Sequence, residues 1–303
     1  MGPTLVSDPH LGFIGLGQIG APMAKRWRDW PGGLSVFDVV DAATAPFAEA
    51  GAHVAASPAG VAERATVISL MVRDDHQVRS VVSGPDGILA TASAGTVVII
   101  HSTVEADTPA EIAALCAPHD VAVLDAPVSG GAMGAHEGTL ALMVGGDDEA
   151  VALATPALER LGTLVAHLGP IGAGTRAKLA RNLITFASYA AVGEASRLAE
   201  AAGVDLAKLG EVVRHSDRVT GGPGAIMLRG TVAPLPVDDG LRPIFEHTRG
   251  LGEKDLALAI GLGVELGVET PVAEHARRQL GGALGVPRHN SLDTDNPDDG
   301  DDR

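Results

Sequence analysis

Between Leu11 and Val128 the chain repeats one pattern: a short unbroken apolar run, a helix-like stretch, then another run. The runs are LGFI (11–14), LSVFD (34–38), TVISLMV (66–72), TVVII (96–100) and VAVLDAPV (121–128). A strand that is apolar on nearly every residue must be covered on both faces, which is the situation of a parallel sheet flanked by helices. APMAKRWRDW (21–30) and ADTPAEIAALCAP (106–118) read as two of those helices. A further pair of runs, TLALMVGG (139–146) and TLVAHLG (163–169), flanks the helical DDEAVALATPALERL (147–161). Past Ile171 the strand pattern nearly stops. Residues 177–203 run without an interior proline to the breaker Gly203, and shorter helical stretches follow near 205–215, 251–267 and 271–284. The change of period predicts an α/β fold: an N-terminal domain with a mostly parallel sheet over 1–170, then a long connecting helix opening an all-α domain over 171–285. The polar, acidic, proline-containing tail, 286–303, is expected to be disordered.

Composition narrows the function classes. Aromatic residues make up only 3% of the chain against 46% hydrophobic, so the core is built from Ala, Val, Leu and Ile. The net charge is −16, and the six Asp and one Arg between Asp293 and Arg303 supply five of those charges. Such a surface lacks both the cationic footprint and the aromatic platforms of a nucleic-acid binder. Cys116 is the only cysteine, which excludes an intrachain disulfide and a multi-cysteine zinc site, and no metal is expected. MGPTLVSDPH has no cationic region followed by an apolar run, and no apolar run approaches the roughly 20 residues of a membrane helix. The expectation is a soluble, reduced, cytoplasmic protein with no membrane partner.

The first apolar run leads directly into GLGQIG, where Gly15, Gly17 and Gly20 have G-x-G-x-x-G spacing. The motif carries weight because a strand precedes it and a helix follows. The first glycine permits a tight turn, the second lets a pyrophosphate approach the backbone, and the third lets helix and strand pack closely. Leu16, Gln18 and Ile19, between the glycines, are then backbone contacts of the same dinucleotide. Asp38 ends the second run about 20 residues on, where an acid accepts hydrogen bonds from the adenosine ribose. A carboxylate there repels a 2′-phosphate, and DVVDAAT supplies no Arg or Lys to offset it. NAD is therefore expected, with NADP disfavoured.

A nicotinamide enzyme also needs a group to move the substrate hydroxyl proton. A Tyr with Lys four residues later is absent: Tyr189 is the only tyrosine, and Ala190 to Gly193 follow it. Zinc-type chemistry would want more cysteines. Eleven histidines leave a His-based site open, although His101, at the end of an apolar run, reads as a satisfied core or loop residue. DAPVSGG (125–131) offers Ser129, Gly130 and Gly131 at the carboxyl end of a strand, where α/β folds bind ligands and where backbone N–H groups suit a carboxylate.

Four ordered motifs, GFIGLGQIGAPMAK (12–25), DAPVSGG followed by EGTLALMVGGDDE (137–149), GAGTRAKLARN (172–182) and EKDLALA (253–259), together resemble the β-hydroxyacid dehydrogenase family over about residues 11–285. Its members include 3-hydroxyisobutyrate dehydrogenase and tartronate semialdehyde reductase. The resemblance implies a Rossmann-like domain, a connecting helix and a helical domain that helps form homodimers or homotetramers. It also implies hydride transfer between NAD(P) and a small carboxylate substrate, a 3-hydroxy acid or the matching semialdehyde. Lys178 matches the family's catalytic lysine and Asn182 the asparagine that holds the substrate. Ser129, Gly130 and Gly131 match the substrate-carboxylate loop. Lys254 matches a lysine near the cofactor; Thr103 and the segment Val72 to Gln77, with Arg73, match cofactor-contacting loops.

Departures stand beside these matches. Arg73 occupies a usual proline position, Ile100 a usual acid and Arg181 a usual asparagine, and 215–248 matches poorly. Imine reductases share the architecture but commonly replace the lysine, so Lys178 argues against that activity and against a catalytically silent NAD-binding scaffold. Six-phosphogluconate dehydrogenases proper have a far longer helical domain.

Overall fold

A computed structural model describes residues 8–287. Its sheet contains nine strands: β1 Leu11–Ile14, β2 Leu34–Phe37, β3 His53–Val54, β4 Val67–Leu70, β5 Val97–Ile100, β6 Ala122–Asp125, β7 Val128–Ser129, β8 Leu140–Gly145 and β9 Gly162–Gly169. The strand order is β3-β2-β1-β4-β5-β6-β8-β7, with β9 on β8. Strands β1 to β6 are parallel, and the chain reverses only where β6 and β7 meet β8. Alternate residues feed two cores. Leu11, Phe13, Val36, Ile99 and Leu124 point into one, with Trp27; Ile14, Ile68, Leu70, Val98 and Ile100 point into the other. Both faces are thus covered, as the unbroken apolar runs require.

The helices are α1 Gly20–Lys25, α2 Asp41–Glu49, α3 Pro58–Ala62, α4 Asp75–Ser83, α5 Thr108–Cys116, α6 Gly131–Glu137, α7 Asp148–Leu158, α8 Ala173–Ala201, α9 Leu206–Thr220, α10 Arg242–Leu266 and α11 Pro271–Ala283. Local chemistry sets several starts: Ser57, Asp74, Asp147 and Asp205 each accept a first-turn backbone N–H. Two compact units divide at Asn182/Leu183, inside α8. The first holds the sheet and the opening turns of α8. The second holds the remainder of α8 and the last three helices. Its described core is small, centred on Leu235, Phe245, Leu284 and Val286. Among the described residues no helix is long and apolar enough to cross a membrane.

Three boundaries differ from the sequence reading. The run 121–128 divides at Ala126–Pro127, since proline cannot donate to a ladder; β7 then turns to pair antiparallel with β8. The first helix ends at Lys25, and three-residue turns carry Trp27 and Trp30 into the core, where Trp27 Nε1 donates to Ala157 O at 2.8 Å. Helix α10 begins at Arg242, not near 251, and runs through Gly250 and Gly252. A Cβ on Gly252 would come 2.6 Å from Leu280 Cδ2, so a residue that resembles a breaker allows close packing on α11. The stretch beyond 287, expected to be disordered, lies outside the described residues.

Candidate functional site

The three loop glycines do three different jobs. Gly15 has φ +93°, and a Cβ there would lie 2.3 Å from Met71 O. At Gly20 a Cβ would lie 2.0 Å from Gly15 O. At Gly17 nothing lies within 4 Å, so its backbone is open to the cavity it lines. That cavity, about 640 Å³, is also lined by Asp38, Val72, Arg73 and Gln77. Its size is in the range of small-ligand sites, and the open backbone at Gly17 is where a pyrophosphate needs to approach. The residues present fit a dinucleotide.

Asp38 is half-buried and already engaged: Oδ2 accepts from Leu16 N at 2.6 Å and Oδ1 from Val40 N at 2.8 Å. A carboxylate has about four acceptor positions, so it can hold the loop and still receive ribose hydroxyls. The segment 72–77 is closed on itself. Asp74 Oδ1 accepts from Gln77 N and Gln77 Oε1 accepts from Arg73 N, each at 2.9 Å. The hydrogen bond from Gln77 N, then the neighbouring Arg73, hold the Asp74 carboxyl below its ordinary pKa. Arg73 is exposed and pairs with Asp74 at 3.3 Å.

A second cluster forms at the β6–β7 turn. Gly130 and Gly131 have φ +136° and +64°, conformations that bring successive backbone N–H groups to one side and that glycine tolerates. Lys178 Nζ donates to Val128 O at 2.6 Å, tethering the lysine next to half-buried Ser129. Burial, then the charge of Arg181, lowers the pKa of Lys178. Asn182, one turn on, is half-buried as well. The predicted apolar stripe beside this face is exposed: Leu183 and Phe186 are 71% and 62% accessible. Lys254 lies in the second unit, paired with Asp255 at 3.1 Å, and Thr103 is exposed. Thr103 is not among the residues that line the cavity.

The sequence placed His101 as a satisfied core or loop residue, as it is, but gave no sign of Ser102 or Ser69, which with it bind the strand ends together. Ser102 Oγ donates to Val72 O at 2.7 Å and accepts from Val72 N at 3.0 Å. His101 is buried; Nδ1 donates to Ala126 O at 2.7 Å, which leaves Nε2 to accept from Ser69 Oγ at 2.8 Å. Desolvation pushes its pKa down to about 4, so it is a neutral strut and no base at ordinary pH. The cofactor-side loop after β4 and the loop after β6 are thereby fixed to the same strand, β5. One local signal was readable: Asp74 with Gln77 three residues on is a helix-start signature. Among the described residues no group of three His, Cys, Asp or Glu could hold a metal ion.

A glycine loop on β1, an acid at the end of β2 and a parallel sheet covered on both faces define a Rossmann-type dinucleotide-binding protein. Residues 10–169 match the family model for the NAD-binding domain of 6-phosphogluconate dehydrogenase. Residues 172–290 match the model for the NAD-binding region of NADP-dependent 3-hydroxyisobutyrate dehydrogenase. An uncharacterized oxidoreductase of Mycobacterium tuberculosis is 56% identical, covering 92% of this chain and 94% of its own. A crystal structure of an oxidoreductase from Mycobacterium avium superposes with TM-score 0.87 at 51% identity, covering 92% and 99%. The 3-hydroxyisobutyrate dehydrogenase of M. tuberculosis, solved with L-serine, gives TM-score 0.63 at 30% identity over 92% and 98%. The chain belongs to the β-hydroxyacid dehydrogenase family. It is an oxidoreductase that uses NAD(P).

Proposed function

We propose that the protein oxidises a small 3-hydroxy acid of the 3-hydroxyisobutyrate or serine type, or reduces the matching semialdehyde. Lys178 serves as general acid/base and Asn182 as the substrate-orienting partner. The observation that carries this reading is the tether from Lys178 Nζ to Val128 O, which holds a lysine of lowered pKa beside Ser129, Gly130 and Gly131. The L-serine bound to the M. tuberculosis 3-hydroxyisobutyrate dehydrogenase supports the substrate class. Bound NAD(P) would accept the hydride in oxidation, and its reduced form would supply the hydride in reduction. The loop at 129–131 receives the carboxylate through the Ser129 hydroxyl and backbone N–H groups. A neutral lysine that donates one hydrogen to Val128 O keeps its lone pair, which takes the hydroxyl proton during oxidation. In reduction the ammonium returns that proton and stabilises the developing alkoxide.

Gly15, Leu16, Gly17, Gln18, Ile19, Gly20, Val72, Arg73, Gln77 and Thr103 form the cofactor side of this reading. NAD is the preferred form. Asp38 faces the ribose, and the residues after it in the chain, Val39 and Val40, are exposed and apolar. The active form is a homodimer or homotetramer in which a second copy covers the exposed apolar side chains of the helical unit.

A panel of 3-hydroxy acids and semialdehydes, assayed with NAD and NADP, tests the reading. Turnover of at least one 3-hydroxy acid with a higher kcat/KM for NAD supports it. An NADP preference would remove the role given to Asp38, and activity on imines alone would remove the substrate class.

A further inference from the structure

Asp125 ends β6 and is fully buried. Its carboxylate reaches the opening of α8: Oδ1 accepts from Gly172 N at 2.7 Å and Oδ2 from Thr175 N at 2.5 Å. First-turn N–H groups have no partner within their own helix, and a cap commonly comes from the residue just before it. Here the acceptor is a distant strand end. The fit leaves no slack. A Cβ on Gly174 would lie 2.0 Å from Met143 O, and one on Gly145 would lie 2.5 Å from Asp125 Oδ1.

One further turn along α8 stands Lys178, whose Nζ returns to Val128 O. Two four-residue stretches, 125–128 and 175–178, are thus joined at both ends by hydrogen bonds into a closed ring. We propose that Asp125 is the positioning residue for Lys178, fixing the first turn of α8 on the end of the sheet so that Nζ meets the loop bearing Ser129. The proposal rests on the reading of Lys178 as proton carrier. Asp125 works through geometry: the charged neighbour that shifts Lys178 is Arg181, on its own helix.

Asp125→Asn keeps the side chain's size but turns an NH2 group toward one of the two backbone N–H groups. The first turn then loosens and water reaches Nζ, which raises the titration of a desolvated lysine; simple loss of a nearby anion would lower it. The chain has four lysines, Lys25, Lys178, Lys208 and Lys254, so a ¹³C-lysine NMR titration resolves Lys178, identified by its loss in Lys178→Ala. In Asp125→Asn the Lys178 titration is expected to move up. Turnover of 3-hydroxyisobutyrate with NAD should fall by about 10- to 100-fold, with NAD binding unchanged. The double variant Asp125→Asn/Lys178→Ala should be no slower than Lys178→Ala alone. A titration that stays put or moves down, or two effects that multiply, would overturn the proposal. Should Asp125→Asn not fold, Gly145→Ala presses on Asp125 Oδ1 and on the first-turn amides of α8. It must raise the same titration, and an unmoved Lys178 signal in that folded variant is equally fatal. Full turnover in Lys178→Ala would remove the proton-carrier reading alone, since the NMR titration needs no substrate.

Discussion

Lys178 and Arg181 lie three residues apart on α8, and their charges oppose one another. Burial and that neighbour both lower the lysine's pKa, which enlarges the neutral fraction that the proposed general-base role requires. The sign follows directly. Oxidation speeds up as pH rises through the Lys178 pKa, and reduction slows over the same interval. Arg181→Asn removes a like charge and should move both limbs to higher pH. A pH profile of kcat/KM that matches the parent's would contradict this. The pair Lys178/Asn182 was legible as an i, i+4 spacing, but the contact that holds the lysine was not, because Lys178 Nζ meets Val128 O across fifty residues of chain. Asp38 was likewise legible as an acid at a strand end, whereas its bond to Leu16 N depends on how β1 and β2 pair.

At the scale of elements, the parallel strands could be read from apolar runs because each is buried on both faces. The cross-links at their ends could not, because His101, Ser69 and Ala126 meet only after β4, β5 and β6 align. Their consequence is a pH-dependent stability. The folded pKa of His101, about 4, lies below the ordinary 6.5 of histidine, so the unfolded chain binds the proton first as pH falls. Stability contributed by neutral His101 is full above 6.5 and lost as pH falls toward 4. From pH 7 to 5 that loss is about 2 kcal/mol. His10, lowered chiefly by burial, acts with the same sign. The denaturant midpoint should therefore fall less steeply between pH 7 and pH 5 in His101→Gln than in the parent. Equal slopes would show that His101 is not a neutral buried strut. Helix α10 illustrates the other limit of local reading: its opening turns from Arg242 to Gly250 precede the stretch the sequence pattern marks.

At the scale of the whole molecule, the two units differ in how their apolar residues are used. Sheet residues fill two cores, whereas Leu183, Phe186 and Val192 of α8 and Leu258 and Val264 of α10 remain exposed. Apolar side chains exposed together on a helical unit are what the proposed assembly would cover. Sedimentation velocity should find a dimer or tetramer, and Leu183→Glu with Phe186→Glu should shift it toward monomer. A monomeric parent would contradict the proposed assembly. The helical unit was the least legible part of the chain, because its patterns answer to other surfaces and not to a large internal core. The most direct test of the chemistry is the comparison of the parent with Lys178→Ala, measuring NAD binding and single-turnover oxidation of whichever 3-hydroxy acid the panel identifies. Unchanged NAD affinity with a rate lower by about 10²- to 10⁴-fold is the predicted result. A rate within a few-fold of the parent would contradict the assignment of Lys178 as the proton carrier.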